Sequence, residues 1–126
     1  MSDFTPVEAD IIAEARAILA SAEFDVLRRA HRVGRAAEVG IAGRVIVYEP
    51  NLPARISGMT LFQESAFALG PRAFLSEDEM RKTVLHELFR LRSGQAGSGA
   101  GSGRISEQTM DAHAFADRAA SALHPG

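Results

Sequence analysis

The sequence predicts one α+β domain spanning residues 1–126, and three observations carry that prediction. Two helix-start signatures, Thr5-Pro6-Val7-Glu8 and Ser76-Glu77-Asp78-Glu79, stand far apart in the chain. Between them lies a β-branched, aromatic run, Arg44-Val45-Ile46-Val47-Tyr48. The strand-like segments follow one another through short Gly- and Pro-bearing links, which favours antiparallel pairing. The expected order is two N-terminal helices, a small antiparallel sheet of about three strands, and two C-terminal helices.

Each element has a local reason. Thr5 can cap the first helix, Pro6 fits its first position and Glu8 completes a capping box. Ile11, Ile12, Ala15, Ile18 and Leu19 then recur at helical spacing to about Ser21. A second helix is expected over Ala22–Glu38, with Phe24, Leu27 and Val33 on its apolar face and Gly34 as its weakest point. Arg44–Tyr48 is a strand, and Glu49-Pro50-Asn51-Leu52-Pro53 is a turn. Met59-Thr60-Leu61-Phe62 and Ala66-Phe67-Ala68-Leu69 flank Gln63-Glu64-Ser65 as a hairpin that Gly70-Pro71 ends. Ser76 launches a third helix with acidic residues in its first turn and Arg90 and Arg92 in its last, as the helix dipole favours. Gly94 is the expected stop, and residues 94–103 read as a flexible Gly/Ser loop. Ser106 is the expected cap of a last helix carrying Met110, Ala114, Phe115 and Leu123, with Pro125 ending it.

Composition excludes several function classes. The absence of cysteine rules out disulfides, thiolate zinc sites and cysteine nucleophiles, so a metal would need His, Asp or Glu ligands. A net charge of -2 makes nucleic acid an unfavoured partner for the chain as a whole. No apolar run approaches the roughly 18 residues of a membrane span, and the start lacks a signal-peptide core, so a soluble chain is expected.

The chemistry concentrates in Thr83-Val84-Leu85-His86-Glu87-Leu88-Phe89-Arg90-Leu91-Arg92. A His-Glu pair on a helix opens the zinc-hydrolase motif H-E-x-x-H, in which imidazole binds the metal and carboxylate polarises its water. Arg90 stands where the second histidine belongs. Successive helical residues lie about 100° apart, so His86 and Glu87 are expected to splay. His113 and Asp117, one turn apart on the last helix, could complete a site if the last two helices pack antiparallel.

Two routes open from there. One is a metal site of His86, His113 and Asp117 holding zinc or another divalent ion, with Glu87 as base. The other needs no cofactor: His86 or His113 moves protons, and Arg90 or Arg92 stabilises an anion. Against both stands a structural role, with His86 and Glu87 bonded at the core edge and His113 and Asp117 on an exposed polar stripe. Arg28, Arg32 and Arg35 share one helical face, either a phosphate-binding stripe or a solvated surface. Tyr48, Glu49, Glu64 and Ser65 fall at strand ends or turns, where functional side chains gather.

Three segments together resemble the core of zincin-like domains at the C-terminal ends of bacterial polymorphic toxins: Gly58-Met59-Thr60-Leu61-Phe62, Phe67-Ala68-Leu69-Gly70-Pro71-Arg72-Ala73-Phe74 and Thr83-Val84-Leu85-His86-Glu87-Leu88. Ala114-Phe115-Ala116-Asp117-Arg118-Ala119 resembles the closing helix of toxin-associated domains. The resemblance implies a secreted or contact-delivered hydrolase with a cognate immunity protein as partner. It makes His86 the first zinc ligand and Glu87 the general base, and Arg90 departs from the pattern. Two alternatives follow from the same residues: a non-catalytic interaction module on a degenerate scaffold, or a metal-independent nuclease toxin using His86, His113 and the arginines.

Overall fold

A computed structural model describes residues 4–61, 65–96 and 102–123. Four helices and four strands follow in the order α1 (Pro6–Ala20), α2 (Phe24–Val33), β1 (Ala37–Ile41), β2 (Arg44–Tyr48), β3 (Gly58–Leu61), β4 (Ala66–Leu69), α3 (Glu77–Ala96) and α4 (Ser102–Ala119). The α+β class holds, and so does the layout of a helix pair, a sheet and a second helix pair.

The Thr5 capping box forms in full: the Glu8 N–H donates to Thr5 Oγ1 at 3.1 Å, and the Thr5 N–H donates to Glu8 Oε1 at 3.0 Å. Ser76 accepts from the Glu79 N–H at 3.0 Å and so starts α3. The second helix is shorter than its periodicity suggests. Gly34, at φ 71, takes the left-handed cap and donates to the carbonyls of Ala30 and His31, which ends α2 ahead of Gly34.

Residues 37–41, expected at or beyond the tail of that helix, are instead a fourth strand. Ala37, Val39 and Ile41 face inward at a period of two while Glu38 and Gly40 face out. Ala42 at φ 53 and Gly43 at φ 79 make the two-residue turn into β2, both in the left-handed region that a tight hairpin demands.

The strand order is β1-β2-β4-β3. β1 pairs antiparallel with β2, and β3 with β4, but β4 lies between β2 and β3 and runs parallel to β2. The all-antiparallel expectation fails there because the nine residues after Tyr48 carry the chain to the sheet's far edge before the β3–β4 hairpin returns it. Phe62, Gln63 and Glu64, assigned to that hairpin, lie outside the described residues.

α2 and α3 lie against the sheet, α1 packs on α2 and α3, and α4 packs on α3. Ile46, Tyr48, Phe67 and Leu69 from the sheet meet Phe24 and Leu27 of α2 and Val84, Leu85 and Leu88 of α3 in one buried cluster. α3 runs through Gly94 to Ala96 and α4 begins at Ser102, not Ser106. The expected Gly/Ser loop is therefore helical at both ends, since a glycine costs a helix only about 1 kcal/mol. Residues 97–101, the rest of that loop, and Pro125 lie outside the described residues. No described helix is long and apolar enough to cross a membrane.

Candidate functional site

One face of α3 builds most of the site. Glu79, Lys82, Thr83, His86, Glu87 and Arg90 recur at three- and four-residue steps, so they stack along one side of the helix. Val84, Leu85, Leu88 and Leu91 take the other side and are fully buried. The polar face borders a cleft of about 500 Å³ together with the loop before β3, the turn after β4 and α4.

Glu87 is the most deeply placed charged residue among those described, 2 % exposed. A buried carboxylate needs partners. Thr60 supplies one, its hydroxyl donating to Glu87 Oε1, and His86 supplies the other through Nδ1, 3.1 Å from Oε2. The expected splay of His86 and Glu87 is thereby corrected: neighbouring side chains meet because the imidazole turns onto the carboxylate. A carboxylate accepts, so the bond runs from the Nδ1–H to Oε2 and Nε2 is the ring nitrogen that Glu87 does not engage. That Nε2 is buried and has no hydrogen-bond partner among the described residues.

The packing that holds Glu87 also explains Gly58. A Cβ there would stand 2.9 Å from Thr83 Cγ2, 3.1 Å from Glu87 Oε2 and 3.2 Å from the Ala68 carbonyl. Only a residue without a side chain lets β3 approach α3 this closely.

His113 comes from α4 and packs against His86, with ring centroids 4.3 Å apart and planes tilted by 47°. The antiparallel pairing of the last two helices thus brings the two histidines together. Desolvation of its ring lowers the pKa of His113 from the ordinary histidine value, and a proton on His86 would lower it further, against opposing pulls from Asp117 and Glu87. His113 is solvent-exposed as a residue, so it presents its ring at the cleft surface while His86 sits behind it.

Arg90 and Asp117 line the same cleft. Asp117, though, is turned to Lys82 at 3.7 Å, and its side chain is 70 % exposed. Lys82 also bonds Asp78 at 3.2 Å, and Asp78, with Asp117 and Glu79 nearby, holds its ammonium above the usual lysine value. Lys82 is a fixed charge, not a proton donor.

The proposed metal ligands His86, His113 and Asp117 border one cleft without forming a ligand set. Among the described residues, no three His, Asp or Glu side chains are grouped to hold a metal ion. Asp117 is turned to Lys82 and Arg90 shares the lining, so the three side chains are not drawn together around one point.

Other candidates have structural explanations. Arg28 makes a two-point bond to Glu77, at 2.7 and 3.3 Å, and lies over the Phe24 ring, which breaks the arginine stripe of α2. Arg92 bonds Glu14 at 3.4 Å, away from the cleft. Tyr48 is buried and bonded to His31, Glu49 accepts from the Asn51 N–H in the following turn, and Ser65 takes a positive φ at the entry to β4. Glu64 lies outside the described residues.

Thr60, Arg55 and Arg72 are the site residues that sequence reasoning missed. Thr60 had a usable signal: it is the polar residue between Met59 and Leu61 on a strand, opposite the buried Phe67. Arg55 and Arg72 had none, because only the sheet topology brings their segments together. Compared with family profiles, curated proteins and solved structures, the chain matches none.

Proposed function

We propose that the protein is a metal-independent acid–base hydrolase of the bacterial toxin or effector class, with Glu87, His86 and His113 as its working groups. The observation that carries this is the chain from Thr60 through buried Glu87 to His86, whose Nε2 is left unengaged beside a second imidazole at the cleft surface. Nε2 has no protein partner among the described residues and His86 borders the cleft, so that nitrogen is left to a water or a substrate. A purely structural His-Glu pair does not need a second histidine against it.

The division of labour follows from position. His113, poised neutral by burial and by its neighbour, accepts a proton from an attacking water. The water oxygen bonds to the electrophilic centre, and the proton passes to the departing group as its bond breaks. Glu87 orients His86 and favours a proton on the imidazole pair, while Arg90 offers charge to the developing anion. The likeness to toxin-borne domains supports the effector setting, and an immunity protein is the partner that setting calls for.

Induced expression inside a bacterial host tests the proposal. Wild type should arrest growth, while His86→Ala and His113→Ala, folded by circular dichroism, should relieve it. Arrest that persists in both variants would overturn the site, and absence of arrest by wild type would overturn the effector class. Relief of arrest by chelation of the host's divalent metal would return the site to metal chemistry.

A further inference from the structure

The geometry points to a phosphate-binding cradle formed by Arg55 and Arg72 at the mouth of the His86–His113 cleft, so that the substrate carries a phosphate group. The inference rests on the cleft being the substrate site.

The two arginines come from segments that the sheet forces together. Arg55 precedes β3 and Arg72 follows β4, and these strands are antiparallel with Gly58 opposite Leu69. The ladder continues past the strand ends, where the Gly70 N–H donates to the Ser57 carbonyl at 2.9 Å. A Cβ on Gly70 would lie 3.0 Å from Leu52 Cβ and 3.1 Å from the Ile56 carbonyl, so the two segments are in close contact there. Arg72 is then fixed at the start of a short 3-10 turn, Pro71–Phe74.

Charge at the cleft is unevenly satisfied. Its carboxylates are Glu79, Glu87 and Asp117. Glu87 is held by Thr60 and His86, Asp117 faces Lys82, and the Glu79 charge also acts on Lys82. Arg55 and Arg72 are exposed and border the cleft, and their guanidinium groups form no hydrogen bond or ion pair with a described residue. Two guanidinium groups left over beside two imidazoles suit a phosphate, whose oxygens accept from several N–H groups at once. Among the described residues the lining holds no Phe, Tyr or Trp, so the His113 ring is the aromatic surface a nucleobase could meet there. Recognition would fall on the phosphate itself, and the cleft is large enough for a substrate of nucleotide size.

Titration calorimetry on His86→Ala protein, which keeps the cradle and removes turnover, tests this with inorganic phosphate, AMP and a single-stranded RNA dodecamer. Binding of at least one probe is expected, weakened about tenfold by Arg55→Gln and by Arg72→Gln, the scale of one lost charge-assisted contact. Arg32→Gln, on the exposed face of α2, should change nothing. Affinity equal for AMP and RNA would identify a small phosphate ester, whereas tighter, strongly salt-dependent RNA binding would identify a nucleotide chain. No binding of any probe, or binding unchanged in both cradle variants and in Arg55→Glu, would overturn the cradle. Either result is independent of the growth assay, so a failed cradle and a failed hydrolase are distinguishable.

Discussion

Two histidines in this fold begin alike and end differently. His31 and His86 each sit on a helix and each engages a partner through Nδ1, at 3.0 Å for His31 to the Tyr48 hydroxyl and 3.1 Å for His86 to Glu87. His31 is stacked on Phe74 at 4.5 Å, and Tyr48 meets the same ring edge-on at 5.2 Å. Burial raises the Tyr48 pKa, with Glu49 adding to it, so the phenol stays neutral. That cluster is an aromatic clasp joining α2 to the sheet, and it borders no part of the cleft. His86 has a carboxylate in place of the phenol, an imidazole in place of the phenyl ring, and a cationic cleft in front. A histidine becomes a chemical group through what faces its second nitrogen, not through its being bonded.

The sharpest way to break the comparison is to remove each ring. His86→Ala should lower the activity read as growth arrest by about 10²–10⁴-fold, the range for a lost acid–base group, with the fold retained. His31→Ala should cost about 1–3 kcal/mol of stability on denaturant unfolding and leave the activity of the folded fraction intact. Equal losses of activity in the two would erase the distinction.

A smaller effect is expected when the carboxylate is kept in shape but not in charge. Glu87→Gln can donate its amide to His86 Nδ1 and so favour the wrong tautomer; activity should fall about 10²-fold with little change in unfolding midpoint. Full activity in the glutamine variant would mean that Glu87 serves packing alone.

Gly58→Ala probes the same contact from the strand side. The added methyl meets Thr83 and Glu87 well inside normal contact distance. A loss of about 1–3 kcal/mol is expected, the usual cost of overpacking. The least effect is in pH. His113 holds its proton less tightly in the fold than in the unfolded chain, so it favours folding above the ordinary value of about 6.5. This contribution disappears as pH falls through the lower folded value. His113→Gln should flatten that part of the stability profile, and a His31 variant should not.

Local chemistry was the legible part of this fold. The Thr5 capping box, the Arg44–Tyr48 strand and the Ser76 start of α3 stand where short-range signals put them, because each is decided within a few residues. β1 was obscured because Ala42-Gly43 turns the chain without the Asn-Gly or Asp-Gly signature and because Arg35-Ala36-Ala37-Glu38 continues a helical composition. The parallel β2–β4 pair is a long-range outcome that no local pattern encodes. At the site, His86, Glu87, Arg90 and His113 were visible as a motif and a spacing, and they share one cleft. Arg55 and Arg72 reach the cleft, and Thr60 reaches Glu87, from strands and turns whose neighbours only the sheet order decides.

The central claim is that Glu87 fixes the tautomer of His86, so that an unprotonated Nε2 stands beside His113, the imidazole that takes the proton from water. Nitrogen-15 NMR of the histidine side chains near neutral pH reads this directly. The account predicts a protonated Nδ1 and an unprotonated Nε2 on neutral His86, with the assignment lost in Glu87→Gln. A proton on Nε2 with Nδ1 bare, or a tautomer indifferent to Glu87, would contradict it.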